Sequence, residues 1–137
     1  MASGAVAGLD NALFELDGDH LTLIGGVSPA SGEHHFPLAP VCPYSGADDV
    51  EPVRLSGRGT LWAWTAVTTA PPGYNGPVPY GFGVVELGEE RLRVVGRLTE
   101  SDPTALRFGQ PMQVVVDRFG DVTTWAFTPA AGSAESV

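Results

Sequence analysis

Two short stretches, Ser28-Pro29-Ala30-Ser31-Gly32 and Cys42-Pro43-Tyr44-Ser45-Gly46, are spaced like the paired knuckles of a zinc ribbon. A metal-binding ribbon reads Cys-x-x-Cys-Gly, then about ten residues, then Cys-Pro-x-Cys-Gly, because a closed tetrahedral zinc site needs thiolate or imidazole ligands from two tight turns. Here serine stands at positions 28, 31 and 45, and only Cys42 keeps its sulfur. A serine hydroxyl stays protonated near neutral pH and is a poor zinc ligand. The spacing therefore predicts a metal knuckle in shape but not in chemistry. Ser28, Ser31, Cys42 and Ser45 read as vestigial positions, and zinc is not expected. His20, His34 and His35 do not repair the set, since neighbouring side chains on an extended segment point opposite ways. Losing a structural metal removes folding energy. Packing by Phe36 and Tyr44, or by a partner subunit, is the expected replacement.

After this region the pattern becomes that of a β protein. Residues 59–68 alternate, with Leu61, Ala63, Thr65 and Val67 on one face and Trp62 and Trp64 on the other. Further strands are expected at 80–87, 91–98, 112–118 and 122–128. Gly88-Glu89-Glu90 and Gly120-Asp121 supply hairpin turns. Ser101-Asp102-Pro103-Thr104-Ala105-Leu106 reads as one capped helical turn with proline early in it. Five strands with a short helix between the third and fourth is the order of an OB barrel. On the N-terminal side, Asp10 is expected to cap a short helix running to about Leu16, ended by Asp17-Gly18-Asp19, with a strand from His20 to Ile24. The organisation read from sequence is a flexible start (1–9), a helix with a degenerate ribbon (10–52), an OB-fold domain (53–129) and a flexible tail (130–137).

A chain of 137 residues is long enough for one core. Its formal net charge is −9, with seven basic residues, all arginine. A nucleic-acid binder normally carries a basic patch, so a stand-alone OB module for single-stranded nucleic acid is only the alternative reading. The lone cysteine excludes an internal disulfide. The N-terminus lacks the basic and apolar regions of a signal peptide. No apolar run approaches the ~20 residues of a membrane span. The expected location is the cytoplasm, away from membranes. No G-x-S-x-G and no defensible pair of carboxylates is present. A nucleophilic pair of Cys42 with His35 is the sole enzymatic reading, and a vestigial ligand position explains Cys42 more simply.

Phe36-Pro37, Cys42-Pro43, Ser45-Gly46, Gly57-Arg58-Gly59-Thr60, Ala70-Pro71-Pro72-Gly73-Tyr74 and Val95-Gly96-Arg97-Leu98, in this order and spacing, carry a resemblance. Between roughly Leu13 and Phe127 the chain resembles the acyl-CoA-associated family with an N-terminal rubredoxin-like zinc ribbon and a C-terminal OB-fold, long known as a domain of unknown function. The resemblance implies a non-catalytic accessory subunit, inactive on its own, that binds a thiolase-like enzyme (a thiolase or an aldolase) in lipid metabolism. It implies a heterotetramer or larger complex, with acyl-CoA as a shared ligand and no tightly bound cofactor. The reaction would be cleavage or formation of a carbon–carbon bond, thiolytic or retro-aldol. The ribbon, with its serines, is where this chain departs from the family pattern.

Aromatic side chains concentrate on the first two barrel strands and their link: Trp62, Trp64, Tyr74, Tyr80 and Phe82. Such rings serve OB-folds as binding platforms, although one alternating set must be core. The Ala70–Pro79 loop carries four prolines and can present Tyr74 at low entropic cost. Arg93 and Arg97 share one face of the third barrel strand. They are candidates for the phosphates of CoA, or else for surface ion pairs with Glu89, Glu90 or Glu100. Together these seven residues form the expected partner- or CoA-binding set, with no catalytic residue among them.

Overall fold

The computed structural model describes residues 13–130. The expected flexible start, the Asp10 cap, and the tail beyond Ala130 lie outside the described residues. Nine strands and one short 3-10 turn are present among those described. β1 (Phe14–Asp17), β2 (His20–Val27), β3 (His34–His35) and β4 (Glu51–Arg54) form a small N-terminal sheet in which β2 pairs with the other three. β5 (Arg58–Val67), β6 (Tyr80–Leu87), β7 (Leu92–Leu98), β8 (Pro111–Phe119) and β9 (Val122–Pro129) close a barrel in the order β5-β6-β7-β9-β8. The β7–β9 pairing is parallel and the others are antiparallel. This is the OB barrel expected from the sequence. The single turn Pro103–Ala105 sits between β7 and β8, and its Asp102 cap accepts from the Thr104 amide at 2.9 Å.

The expected N-terminal helix is absent: Phe14–Asp17 is a strand. Asp17 pairs with His20 across a two-residue turn, and Gly18 takes a φ of 65° there. A left-handed glycine between two short alternating segments closes a hairpin. Asp17-Gly18-Asp19 therefore turns one strand into the next. Pairing of all four β1 residues with β2 satisfies backbone groups that an isolated helix of this length could not hold together in water.

The alternation expected for β5 also fails at one point. The β5–β6 register slips between Leu61 and Ala63, so Trp62 is the extra residue of a β-bulge. A bulge inserts one residue and inverts the facing of everything after it. Leu61 points into the core, Trp62 and Ala63 are exposed, and Trp64 turns inward against the core. The two tryptophans thus do not share a face.

One apolar cluster joins both layers. Leu61, Val85, Leu87, Val94, Met112 and Phe127 fill the barrel, and Leu21, Leu23 and Leu55 extend the same cluster under the N-terminal sheet. Each such side chain contributes about 1.5–3 kcal/mol on full burial. At the junction Trp125 receives Phe14 and Phe36 edge-on, at centroid distances of 6.4 and 5.4 Å. The Trp125 indole N–H donates to the Val95 carbonyl, which fixes the ring.

Candidate binding face

Strands β5, β6 and β7 are joined along most of their length, so their outward residues line up in rows. Ala63, Val84 and Val95 form one row; Thr65, Phe82 and Arg97 form the next. At the bulge, Trp62 stands 41% exposed on this face, with Phe108 beside it at 6.2 Å and 68% exposed. The Arg93 guanidinium lies 3.7 Å over the Trp62 ring and bonds Glu86 at 3.2 Å. Ala63, Trp64, Thr65, Phe82, Gly83 and Val84 line a shallow, apolar depression of about 220 Å³. Exposed aromatics gathered on one sheet face, rather than scattered, mark a contact surface.

The other end of the face is built around Arg97. Its guanidinium bonds Asp117 at 2.6 Å and lies 5.4, 4.5 and 4.3 Å from the rings of Tyr74, Tyr80 and Phe119. Burial works against the charge on Arg97, but Asp117 and Tyr74 beside it raise its pKa overall. Tyr74 packs on Tyr80 and Phe119, and its hydroxyl donates to the Pro77 carbonyl at 2.7 Å. Gly76 leaves the room for that ring, which a Cβ there would meet. The proline-rich loop is therefore pinned to the barrel by Tyr74, and it offers Val78 to solvent.

Of the seven residues expected from sequence, Trp62, Phe82, Arg93 and Arg97 lie on one face, and Tyr74 and Tyr80 stack at its end. Trp64 borders the same depression, but it packs against the core and its indole N–H donates to the Pro103 carbonyl at 3.0 Å. The ion pairs of Arg93 and Arg97 go to Glu86 and Asp117, not to Glu89, Glu90 or Glu100. Phe108, Phe119 and Asp117 complete the face without being marked by the strand pattern. Only Phe108 leaves a trace in the sequence, as an aromatic in the turn Arg107-Phe108-Gly109.

The knuckles are tight turns, closed by Gly32 N–H to Ser28 O at 2.6 Å and Gly46 N–H to Cys42 O at 2.9 Å. Several of their polar groups find partners within the chain. Ser28 is fully buried, and its hydroxyl donates to Asp49 at 2.7 Å. The other Asp49 oxygen accepts the Ala30 amide at 2.9 Å. These bonds hold the Asp49 carboxyl below the usual aspartate range. In the second knuckle, the Ser45 hydroxyl and nearby backbone amides lower the pKa of the Cys42 thiol. Among the described residues no group of three or more His, Cys, Asp and Glu side chains is placed to hold a metal ion. Asp49 thus ties the first knuckle to the segment following the second. Phe36 contributes packing on Trp125, as expected, whereas Tyr44 does not: it stands exposed at the tip of its turn.

The fold is a small OB barrel joined to an N-terminal sheet, with exposed aromatic side chains gathered on its β5–β7 face. Residues 52–117 match the family model described as ChsH2, C-terminal OB-fold domain. A DUF35 domain-containing scaffold protein from Pyrococcus furiosus is 34% identical over 68% of this chain and 67% of its own length. A protein of the same description from Methanocaldococcus jannaschii is 29% identical over 70% and 68%. Among solved structures, one titled Ltp2-ChsH2(DUF35) aldolase matches with a TM-score of 0.67 and 26% identity, covering 80% of this chain and 86% of that one. The chain belongs to the DUF35 family.

Proposed function

We propose that this protein is a non-catalytic accessory subunit that docks on a thiolase-like enzyme, a thiolase or an aldolase, and helps it hold an acyl-CoA substrate. The observation that carries this reading is the face of β5–β7, where Trp62, Phe108, Phe82 and Val95 are exposed together beside Arg93 and Arg97. Interface hot spots are enriched in Trp, Tyr and Arg, and exposed apolar patches rimmed by polar residues fit partner or ligand contacts. The descriptions of the relatives as scaffold proteins, and of the solved neighbour as an Ltp2-ChsH2(DUF35) aldolase, support the partnership. Carbon–carbon bond cleavage or formation would then be carried out by residues of the partner. In this assignment Tyr74 acts by holding the proline-rich loop in place, not by presenting its ring.

The nucleic-acid alternative is weaker. The chain carries a net charge of −9, and both arginines of the face are neutralised by carboxylates. The test is co-expression with a thiolase-like protein of the same genome, followed by size-exclusion chromatography with and without a CoA thioester. A stable heteromeric complex, heterotetrameric or larger, with turnover only in the complex, is the expected result. Thioester turnover by the isolated chain, abolished in Cys42→Ala, would refute the non-catalytic assignment.

A further inference from the structure

The two layers leave a cleft between them on the side away from β6 and β7. It measures about 490 Å³ and is lined among others by His20, Leu21, Leu55, Arg58, Gln113 and Val114. That size is in the range of small-ligand sites, ~300–1,000 Å³. Leu21 and Leu55 sit at its floor with little of either side chain exposed, and most of the rest of the lining is polar. One wall is a fixed corner. The amide and hydroxyl of Ser56 both donate to the Glu90 carboxylate, at 2.6 and 2.9 Å, and the Val114 amide donates to the Gly57 carbonyl at 2.8 Å. Gly57 has a φ of 72° and Val114 pressed where a Cβ would stand, so this corner requires glycine.

Some donors of the polar lining have no acceptor among the described residues. Arg58 and Gln113 face each other in the β5–β8 register. Among the described residues the side chains of Arg58, Gln113 and His20 have no hydrogen-bond partner. Arg54, Arg93, Arg97 and Arg118 each have a carboxylate within 2.6–3.2 Å, whereas Arg58, like Arg91 and Arg107, has none among the described residues. Asp19 itself lines the cleft, with its carboxylate 3.2 Å from the Arg118 guanidinium, and Glu90 is held by Ser56 of the cleft wall. An unpaired guanidinium presents a planar fork that matches a carboxylate. The apolar floor beside it matches a short hydrocarbon.

We propose that this cleft binds a small organic carboxylate, with its oxyanion on Arg58 and Gln113 and its short apolar body over Leu21, Leu55 and Val114. The site is separate from the β5–β7 face, and the proposal does not rest on the partner assignment. It is tested by titrating the isotopically labelled full chain with butanoate and following amide chemical shifts. Butanamide and inorganic phosphate serve as the neutral and the non-apolar controls. Expected are saturable shifts at residues 19–22, 55–58 and 113–115, with millimolar or tighter affinity, at least about tenfold weaker in Arg58→Gln. Arg58→Lys should keep part of the affinity, and Gln113→Ala should weaken it without changing the melting temperature. Non-saturating shifts, equal binding of butanamide or phosphate, or wild-type affinity in both Arg58→Gln and Gln113→Ala would overturn the proposal.

Discussion

The barrel and the N-terminal sheet are built from the same backbone ladders but are held by different means. The barrel closes on itself and packs Phe127, Leu61, Val85 and Met112 with almost no exposure. The N-terminal sheet has short strands, two glycine-closed knuckles, and a share in the barrel's core through Leu21, Leu23 and Leu55. Where zinc would ordinarily join two knuckles, a carboxylate stands in its place: Asp49, just beyond the second knuckle, reaches the Ser28 hydroxyl and the Ala30 amide of the first. The two knuckles also lean on a neighbouring layer. Trp125 of the barrel receives both Phe14 and Phe36, so the neighbour is within the same chain.

The largest expected effect is in the barrel. Phe127→Ala removes a side chain with no exposure and should cost about 3–5 kcal/mol. A melting curve should show both layers lost together. A loss under about 1 kcal/mol would mean that the barrel is not the layer on which the other depends. Trp125→Ala separates the two layers more finely. The ring is half-buried, so the cost should be smaller, about 2 kcal/mol. Amide exchange should rise in β1, β2 and the knuckles before it rises in β5–β7. Equal loosening of both layers would contradict the dependence of the N-terminal sheet on this junction.

Asp49→Asn comes next. The folded Asp49 carboxyl titrates below its ordinary value near 3.8, because Ser28 and the Ala30 amide bond its charged form. Its contribution is therefore fully present above that ordinary value. It is lost as pH falls through the lowered folded value. The variant should be less stable at neutral pH and show a shallower loss of stability in acid. An acid-unfolding curve parallel to wild type would mean that Asp49 does not hold the first knuckle. The smallest effect is expected at the remaining sulfur. Cys42→Ser should leave melting temperature and elution volume unchanged, and elemental analysis should find no stoichiometric zinc. A content of about one zinc per chain would restore a metal to the ribbon.

Much of this architecture was legible in the sequence. The five barrel strands follow from alternation and turn residues, and the observed bounds differ by only a residue at most ends. Alternation reports local facing, and that is why it misled at Trp62. In Leu61-Trp62-Ala63-Trp64 every residue is apolar, so an inserted bulge leaves no break in the pattern. Phe14-Glu15-Leu16 is equally readable as one helical turn or half a hairpin, and only the pairing with β2 decides. The binding face was legible in part, since Trp62, Phe82, Arg93 and Arg97 lie on consecutive strands. Asp117 and Phe119 were not, because they reach Arg97 through barrel closure. Asp49 was hidden in the same way. It reads as one of several acids in a row until the fold brings it to Ser28.

The proposed partnership rests on the barrel's β5–β7 face being the docking surface for a thiolase-like enzyme. The decisive experiment is calorimetric titration of wild type and Trp62→Ala against the thiolase-like protein that co-purifies with the wild-type chain, with a melting curve for each. Trp62 is exposed at a bulge, so its removal should leave the melting temperature close to wild type. It should weaken binding by more than ~1 kcal/mol, the level at which an interface residue counts. Wild-type affinity in Trp62→Ala, with the complex intact, would show that the partner docks elsewhere and would contradict the assignment of this face.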